Sequence, residues 1–211
     1  MAAEAGLQVQ YLPLAAQASA RWDGVLGFAT FDPAPGNGSH ASLAPREIPV
    51  AAVHTPVLGG AVCEIWHTRQ QLESGQCSHV RYRRGDEILF GCISLPETDG
   101  LQATTGAAYK EIFAAVDELG YPHLLRVWNY LPQINVHAQG TERYWQFNSA
   151  RRKAIAESGR DTGGSVPAAC ALGSANGSPL VIYFLASRKA PTLIENPRQI
   201  SAVSCYHNRL F

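Results

Sequence analysis

Hydrophobic and polar positions change period near the middle of the chain. Before residue 100, short stretches rich in β-branched and aromatic residues predict strands at 8–15, 24–31, 50–58, 62–68, 79–83 and 87–95. Turn chemistry such as Gly59-Gly60 and Gly85-Asp86 separates them, and the Pro-, Gly-, Asn- and Ser-rich run 32–45 reads as a surface loop. After Gly100 the period lengthens. Ala108, Ile112, Ala115, Val116 and Leu119 recur at helical spacing, with Thr104 or Thr105 as the starting cap and Gly120 as the stop. A strand over 123–131 closes at Pro132. A second helix over 141–158 ends at Gly159 and leads into a glycine-rich loop at 161–164. The unbroken apolar run 179–186 predicts a strand buried on both faces, and 196–203 a last strand.

A strand-rich portion (1–100) followed by β-α-β-α-β character (101–203), without internal repeats, predicts an α+β fold in one domain over 1–211. A mixed sheet would carry two helices on one face. The other face is too apolar to meet water and needs a cover.

Two segments concentrate polar groups on apolar faces. In the second helix, Tyr144, Phe147, Ala154 and Ile155 define a stripe that Arg151 shares, four residues after Phe147, with Asn148 three residues before it. An inward guanidinium must be paired. Two partners fit: a carboxylate of the protein itself, or a ligand carboxylate met by the planar fork of donors; the third option is that Arg151 reaches the surface. In the strand 123–131, Leu125, Val127, Asn129 and Leu131 point one way and Leu124, Arg126, Trp128 and Tyr130 the other. Arg beside two large aromatics suits an interface or a ligand wall. It equally suits a core face from which Arg126 extends to solvent.

The strings Arg126-Val127-Trp128-Asn129-Tyr130-Leu131-Pro132-Gln133-Ile134-Asn135 and Glu142-Arg143-Tyr144-Trp145-Gln146-Phe147-Asn148-Ser149-Ala150-Arg151 resemble those of chorismatases and 3-hydroxybenzoate synthases. So, in the same order, do the segments 167–173 and 195–202. The resemblance covers 124–202 and implies a RidA-like (YjgF-like) fold. It implies a chorismate-processing hydrolase or lyase of secondary metabolism that releases pyruvate and leaves a dihydroxycyclohexadiene carboxylate or a hydroxybenzoate. General-acid catalysis and positioning by arginines would supply the rate. Arg151 becomes the expected carboxylate ligand, with Tyr144, Asn148 and Tyr130 lining the same region. No metal or organic cofactor is implied, and no catalytic residue is assigned. The family's catalytic glutamate is expected in a second half that this chain does not match, which leaves the chain as a truncated, inactive half. Alternatively it is a non-catalytic carboxylate-binding or assembly module, or, by fold analogy alone, an enamine or imine deaminase. A homotrimer or a partner subunit is expected to cover the open sheet face.

Composition narrows the rivals. Lys plus Arg and Asp plus Glu are 17 each, so no global positive charge points to nucleic acid. No apolar run is long enough to span a bilayer and no secretory signal opens the chain, so a cytoplasmic location is expected. Five widely spaced cysteines without a C-x-x-C argue for free thiols and against structural zinc. Asp161-Thr162-Gly163 reads as a turn rather than a protease triplet, and neither a G-x-S-x-G nor a Walker pattern occurs. His54, His67 and His123 read as strand residues, and Cys170 as a small buried residue.

Overall fold

The computed structural model describes residues 6–19, 22–32, 44–138, 140–160 and 167–192. The strand expected at 196–203 and most of the loops at 32–45 and 161–164 lie outside them.

Four strands form the first sheet: β1 (Gln8–Pro13), β2 (Val25–Asp32), β3 (Val50–His54) and β4 (Val62–His67), in the order β1-β4-β2-β3. A short 3-10 helix (Leu14–Ser19) follows β1. The hairpin β5 (Glu73–Cys77) and β6 (Val80–Arg84) then leads into β7 (Ile88–Leu95) and helix α1 (Leu101–Leu119). The remaining elements are β8 (His123–Pro132), the two-residue strands β9 (His137–Ala138) and β10 (Thr141–Glu142), helix α2 (Arg143–Glu157), β11 (Ala168–Ser174) and β12 (Leu180–Ser187). The second sheet has six strands in the order β11-β8-β12-β7-β6-β5, antiparallel except for the β11/β8 pair.

The central strands β7, β8 and β12 of the six-stranded sheet are buried on both faces, as the apolar run in β12 predicts. Ile182, Phe184 and Ala186 of β12, with Val127 and Leu131 of β8, pack beneath Ile112, Phe113 and Val116 of α1 and Phe147 and Ala154 of α2. Val181, Tyr183 and Leu185 point the other way and pack on Leu26 and Ala29 of β2 and Ala51 and Val53 of β3. The expectation that a partner or a second copy covers this face is therefore corrected: the chain's own first sheet covers it.

Local chemistry accounts for most boundaries. Gly120 ends α1 at φ 76°, its N–H on the Asp117 carbonyl (3.1 Å) and the Tyr121 N–H on that of Val116 (2.8 Å), a Schellman stop that needs the left-handed conformation. The start is a correction. Neither Thr104 nor Thr105 caps α1. Gly100 at φ 88° opens the helix without a side-chain cap, and both threonines lie buried within its first turns, Thr104 Oγ1 donating back to the Gly100 carbonyl at 3.0 Å. In β8 the expected alternation holds from Val127 onward. A bulge opposite Leu185/Ala186 shifts the register before it, so Leu124 packs on the helix side and Leu125 toward the first sheet.

Candidate functional site

Helix α2 has little intrinsic reason to stay where it is. Glu142 offers no side-chain cap, the first turn lacks an acid, and the residues it buries are Arg143, Gln146, Phe147 and Ala154. The buried guanidinium on this helix is thus Arg143, only 8% exposed in its position at the helix start, and not Arg151. Arg143 donates from Nη1 and Nη2 to the two carboxylate oxygens of Glu97 (2.8 and 2.5 Å) and from Nε to the Pro132 carbonyl (3.0 Å). The Glu97 hydrogen bonds push its pKa further up. These three donors are committed to the protein.

Arg151 is half-buried on the flank of α2, its Cζ 5.7 Å from the Phe147 ring centre. Tyr144, Asn148, Arg151 and Ile155 follow each other at steps of four, three and four residues and share that flank. Tyr144 is not part of an inward stripe, being 39% exposed, because Arg143 and Phe147 take the inward positions of the first turns. Helical spacing thus places residues bearing a guanidinium, a carboxamide and a phenol along one flank, groups of the kind that bind a carboxylate.

Tyr130 does not join them. It lies on the opposite face of the six-stranded sheet, buried between the sheets, its ring 5.7 Å from that of Phe31. The reason is parity: the helix side of β8 belongs to Val127, Asn129 and Leu131, and Tyr130 alternates with them. Trp128 is buried there too. Arg126 is exposed, its Cζ 5.0 Å from the Trp128 ring centre, so the core-face reading with an extended Arg126 describes this strand.

Between the sheets, Tyr130 belongs to a cluster that sequence reasoning missed. Glu64 of β4, buried, accepts hydrogen bonds from Tyr11 (2.8 Å), Trp66 Nε1 (2.6 Å) and Tyr183 (3.3 Å). The Tyr183 ring stacks on those of Trp128 at 4.7 Å and Tyr130 at 6.1 Å. Burial, reinforced by the Glu64 carboxylate, raises the Tyr11 and Tyr130 hydroxyls to about 12 and Tyr183 higher still. Both oxygens of Glu64 accept hydrogen bonds from the protein, and the one from Tyr183 ties the first sheet to the second. A lone acid in a strand carried no sequence signal for this.

A groove of about 480 Å³ runs between α1 and α2, floored by Ala103, Gly106, Ala107 and Ala150. None of the four expected site residues lines it, and its Lys110 and Lys153 are bridged by Glu157. No helix of the described residues is long and apolar enough to cross a membrane, and no described group of three His, Cys, Asp or Glu side chains could hold a metal. Cys63, Cys77, Cys92 and Cys170 are free thiols, and burial pushes Cys92 up to about 12.

Residues 64–186 match the family described as "Chorismatase FkbO/Hyg5-like, N-terminal". A chorismatase of Streptomyces hygroscopicus is 37% identical over 157 residues, covering 73% of this chain and 45% of the relative. A 3-hydroxybenzoate synthase of the same organism is 35% identical over 146 residues, covering 68% and 42%. A crystal structure of a chorismatase superposes with a TM-score of 0.78 at 31% identity, over 92% of this chain and 57% of that one. The chain belongs to the chorismatase FkbO/Hyg5-like N-terminal family, and it spans just under half the length of the curated relatives it matches.

Proposed function

We propose that this chain supplies the N-terminal portion of a chorismatase-type enzyme and holds a carboxylate of chorismate on the α2 flank. Arg151 presents the guanidinium fork, with Asn148 and Tyr144 beside it. The observation that carries the reading is family membership, joined to the three side chains that α2 displays on one flank. The reaction is loss of pyruvate from chorismate to give a dihydroxycyclohexadiene carboxylate or a hydroxybenzoate. Positioning of the substrate anion is the part assigned to these residues. The catalytic acid is unassigned, since the buried carboxylate of Glu64 and the half-buried one of Glu97 are engaged with the protein. Tyr130 is not included. The six-stranded sheet with its two helices is read as a RidA-like unit that, with the first sheet, forms one domain.

The test is pyruvate release from chorismate, followed by coupled lactate dehydrogenase. Release that falls at least tenfold in Arg151→Ala supports the reading. Release unaffected by that substitution removes Arg151 from the site, and absence of release from the folded, unsubstituted chain contradicts activity of this chain by itself.

A further inference from the structure

We infer that Arg143 and Glu97 are a positioning pair for the α2 flank, an inference that rests on the reading of that flank as the carboxylate-binding face. A cation in the first turn of a helix opposes the helix dipole. Arg143 is nevertheless the first residue of α2, and the turn contains no acid to offset it. Helix formation by itself therefore does not account for an arginine here. What it does achieve is a three-way tie. Its fork closes on Glu97, in the connection between β7 and α1, while Nε holds the Pro132 carbonyl at the end of β8. One side chain thus joins the start of α2 to the end of β8 and to the connection that leaves β7.

Three further hydrogen bonds hold the same turn to its surroundings. The N–H groups of Arg143 and Tyr144 donate to the carbonyls of Val136 (2.9 Å) and Ile134 (3.0 Å). Gln146 Nε2 donates to the Ala138 carbonyl at 2.6 Å. The backbone that presents these carbonyls begins at Gln133, held at φ 55°, a left-handed conformation that non-glycine residues rarely adopt. Such a conformation persists where the surroundings over-determine it. These bonds satisfy the first two amides of α2, those of Arg143 and Tyr144, and fix the chain's entry into the helix.

Tyr144 is the next residue after Arg143, and Arg151 follows eight residues on, about 12 Å along the helix axis. At that distance Arg151 lies beyond the reach of the Glu97 pair, so the pair acts on a ligand held there only through the rotation and height of α2. Apolar anchorage of α2 is confined to Phe147, Ala154 and the partly buried Ile155 among the described contacts. The polar pair therefore sets where the flank points.

The experiment compares the full chain with Glu97→Gln, which keeps the shape of the partner but removes its charge, and with Arg143→Lys, which keeps the charge but loses the fork. Chorismate affinity is titrated by calorimetry, and amide hydrogen exchange is followed by mass spectrometry. The expected result is at least a tenfold loss of affinity in both variants. It is accompanied by at least tenfold faster exchange across 143–151, while exchange in β12 is unchanged. Glu97→Asp, which can still pair, restores affinity to within threefold of the unsubstituted chain. Unchanged exchange across 143–151, or unchanged affinity despite faster exchange there, overturns the inference. Exchange that accelerates equally in β12 also overturns it, since it marks a merely structural pair. If the unsubstituted chain binds no chorismate, the carboxylate reading fails by itself, and exchange across 143–151 still decides whether the pair sets α2.

Discussion

The hydroxyl of Tyr183, in the middle strand of the six-stranded sheet, donates to Oε1 of Glu64 in the four-stranded sheet at 3.3 Å. Trp66 and Tyr11 complete the shell of that carboxylate, so one buried acid connects β1, β4 and β12. Glu64→Ala strands the fully buried Tyr183 hydroxyl and the Trp66 indole N–H without an acceptor. Leaving a buried donor unsatisfied costs about 1–3 kcal/mol each. The expected loss is about 3 kcal/mol, measured by urea unfolding, with Glu64→Gln losing less because it retains an acceptor oxygen.

The same cluster gives the chain an alkaline limit. Burial, then Glu64, raises Tyr11 and Tyr130 to about 12 and Tyr183 beyond that, above the ordinary phenol value near 10. A phenol whose pKa is raised by folding stabilises the native state fully below its unfolded pKa. That contribution is lost as pH rises through the folded value. Stability should therefore fall from about pH 10 toward pH 12. Spectrophotometric titration at 295 nm should show a native fraction of phenols silent near pH 10 that ionises only as the chain unfolds. Titration of all tyrosines together near pH 10 in the native state would contradict the geometry.

Two glycines should respond oppositely to Ala. The Phe90 ring of β7 lies directly on Gly27 of β2, where an added Cβ would come within 2.2 Å of ring atoms. Phe90 is buried and stacks on Tyr183 at 5.8 Å, so it has nowhere to retreat. Gly27→Ala is expected to cost about 2 kcal/mol through overpacking. Gly106 sits within α1 with nothing within 4 Å of an added Cβ. Gly106→Ala is expected to stabilise by roughly 0.5–1 kcal/mol through helix propensity. Thermal midpoints of the two variants, read against the unsubstituted chain, check both signs.

Elements with a strong apolar period were legible before the structure. β12, α1 with its Gly120 stop, and the later part of β8 declare themselves because both faces of β12 and one face of α1 are core. β5 did not: Glu73-Ser74-Gly75-Gln76-Cys77 is polar and becomes a strand through pairing with β6 and the Tyr82 ring over Gly75. β11 was read as a motif string rather than a strand, since its small residues carry little period and its place follows from parallel pairing with β8. The cover on the sheet was anticipated but assigned to a partner, because no local pattern says which face of one sheet will meet another. Asn148 and Arg151 fall on one flank of α2 because helix periodicity is reliable over two turns. Arg143 was missed because the stripe was drawn from apolar residues, which hides a buried cation whose partner, Glu97, lies 46 residues away in sequence. Tyr130 was misgrouped because strand parity, legible in β8 itself, does not say on which side a helix will pack.

The most direct test is a calorimetric titration of chorismate into the unsubstituted chain, Arg151→Ala and Arg152→Ala. Arg152 is an exposed neighbour on the same helix and serves as the charge control. The expected result is binding that weakens at least tenfold in Arg151→Ala and less than twofold in Arg152→Ala. Equal weakening by both would reduce the effect to net charge, and unchanged binding in Arg151→Ala would contradict the assignment of the α2 flank as the carboxylate-binding face.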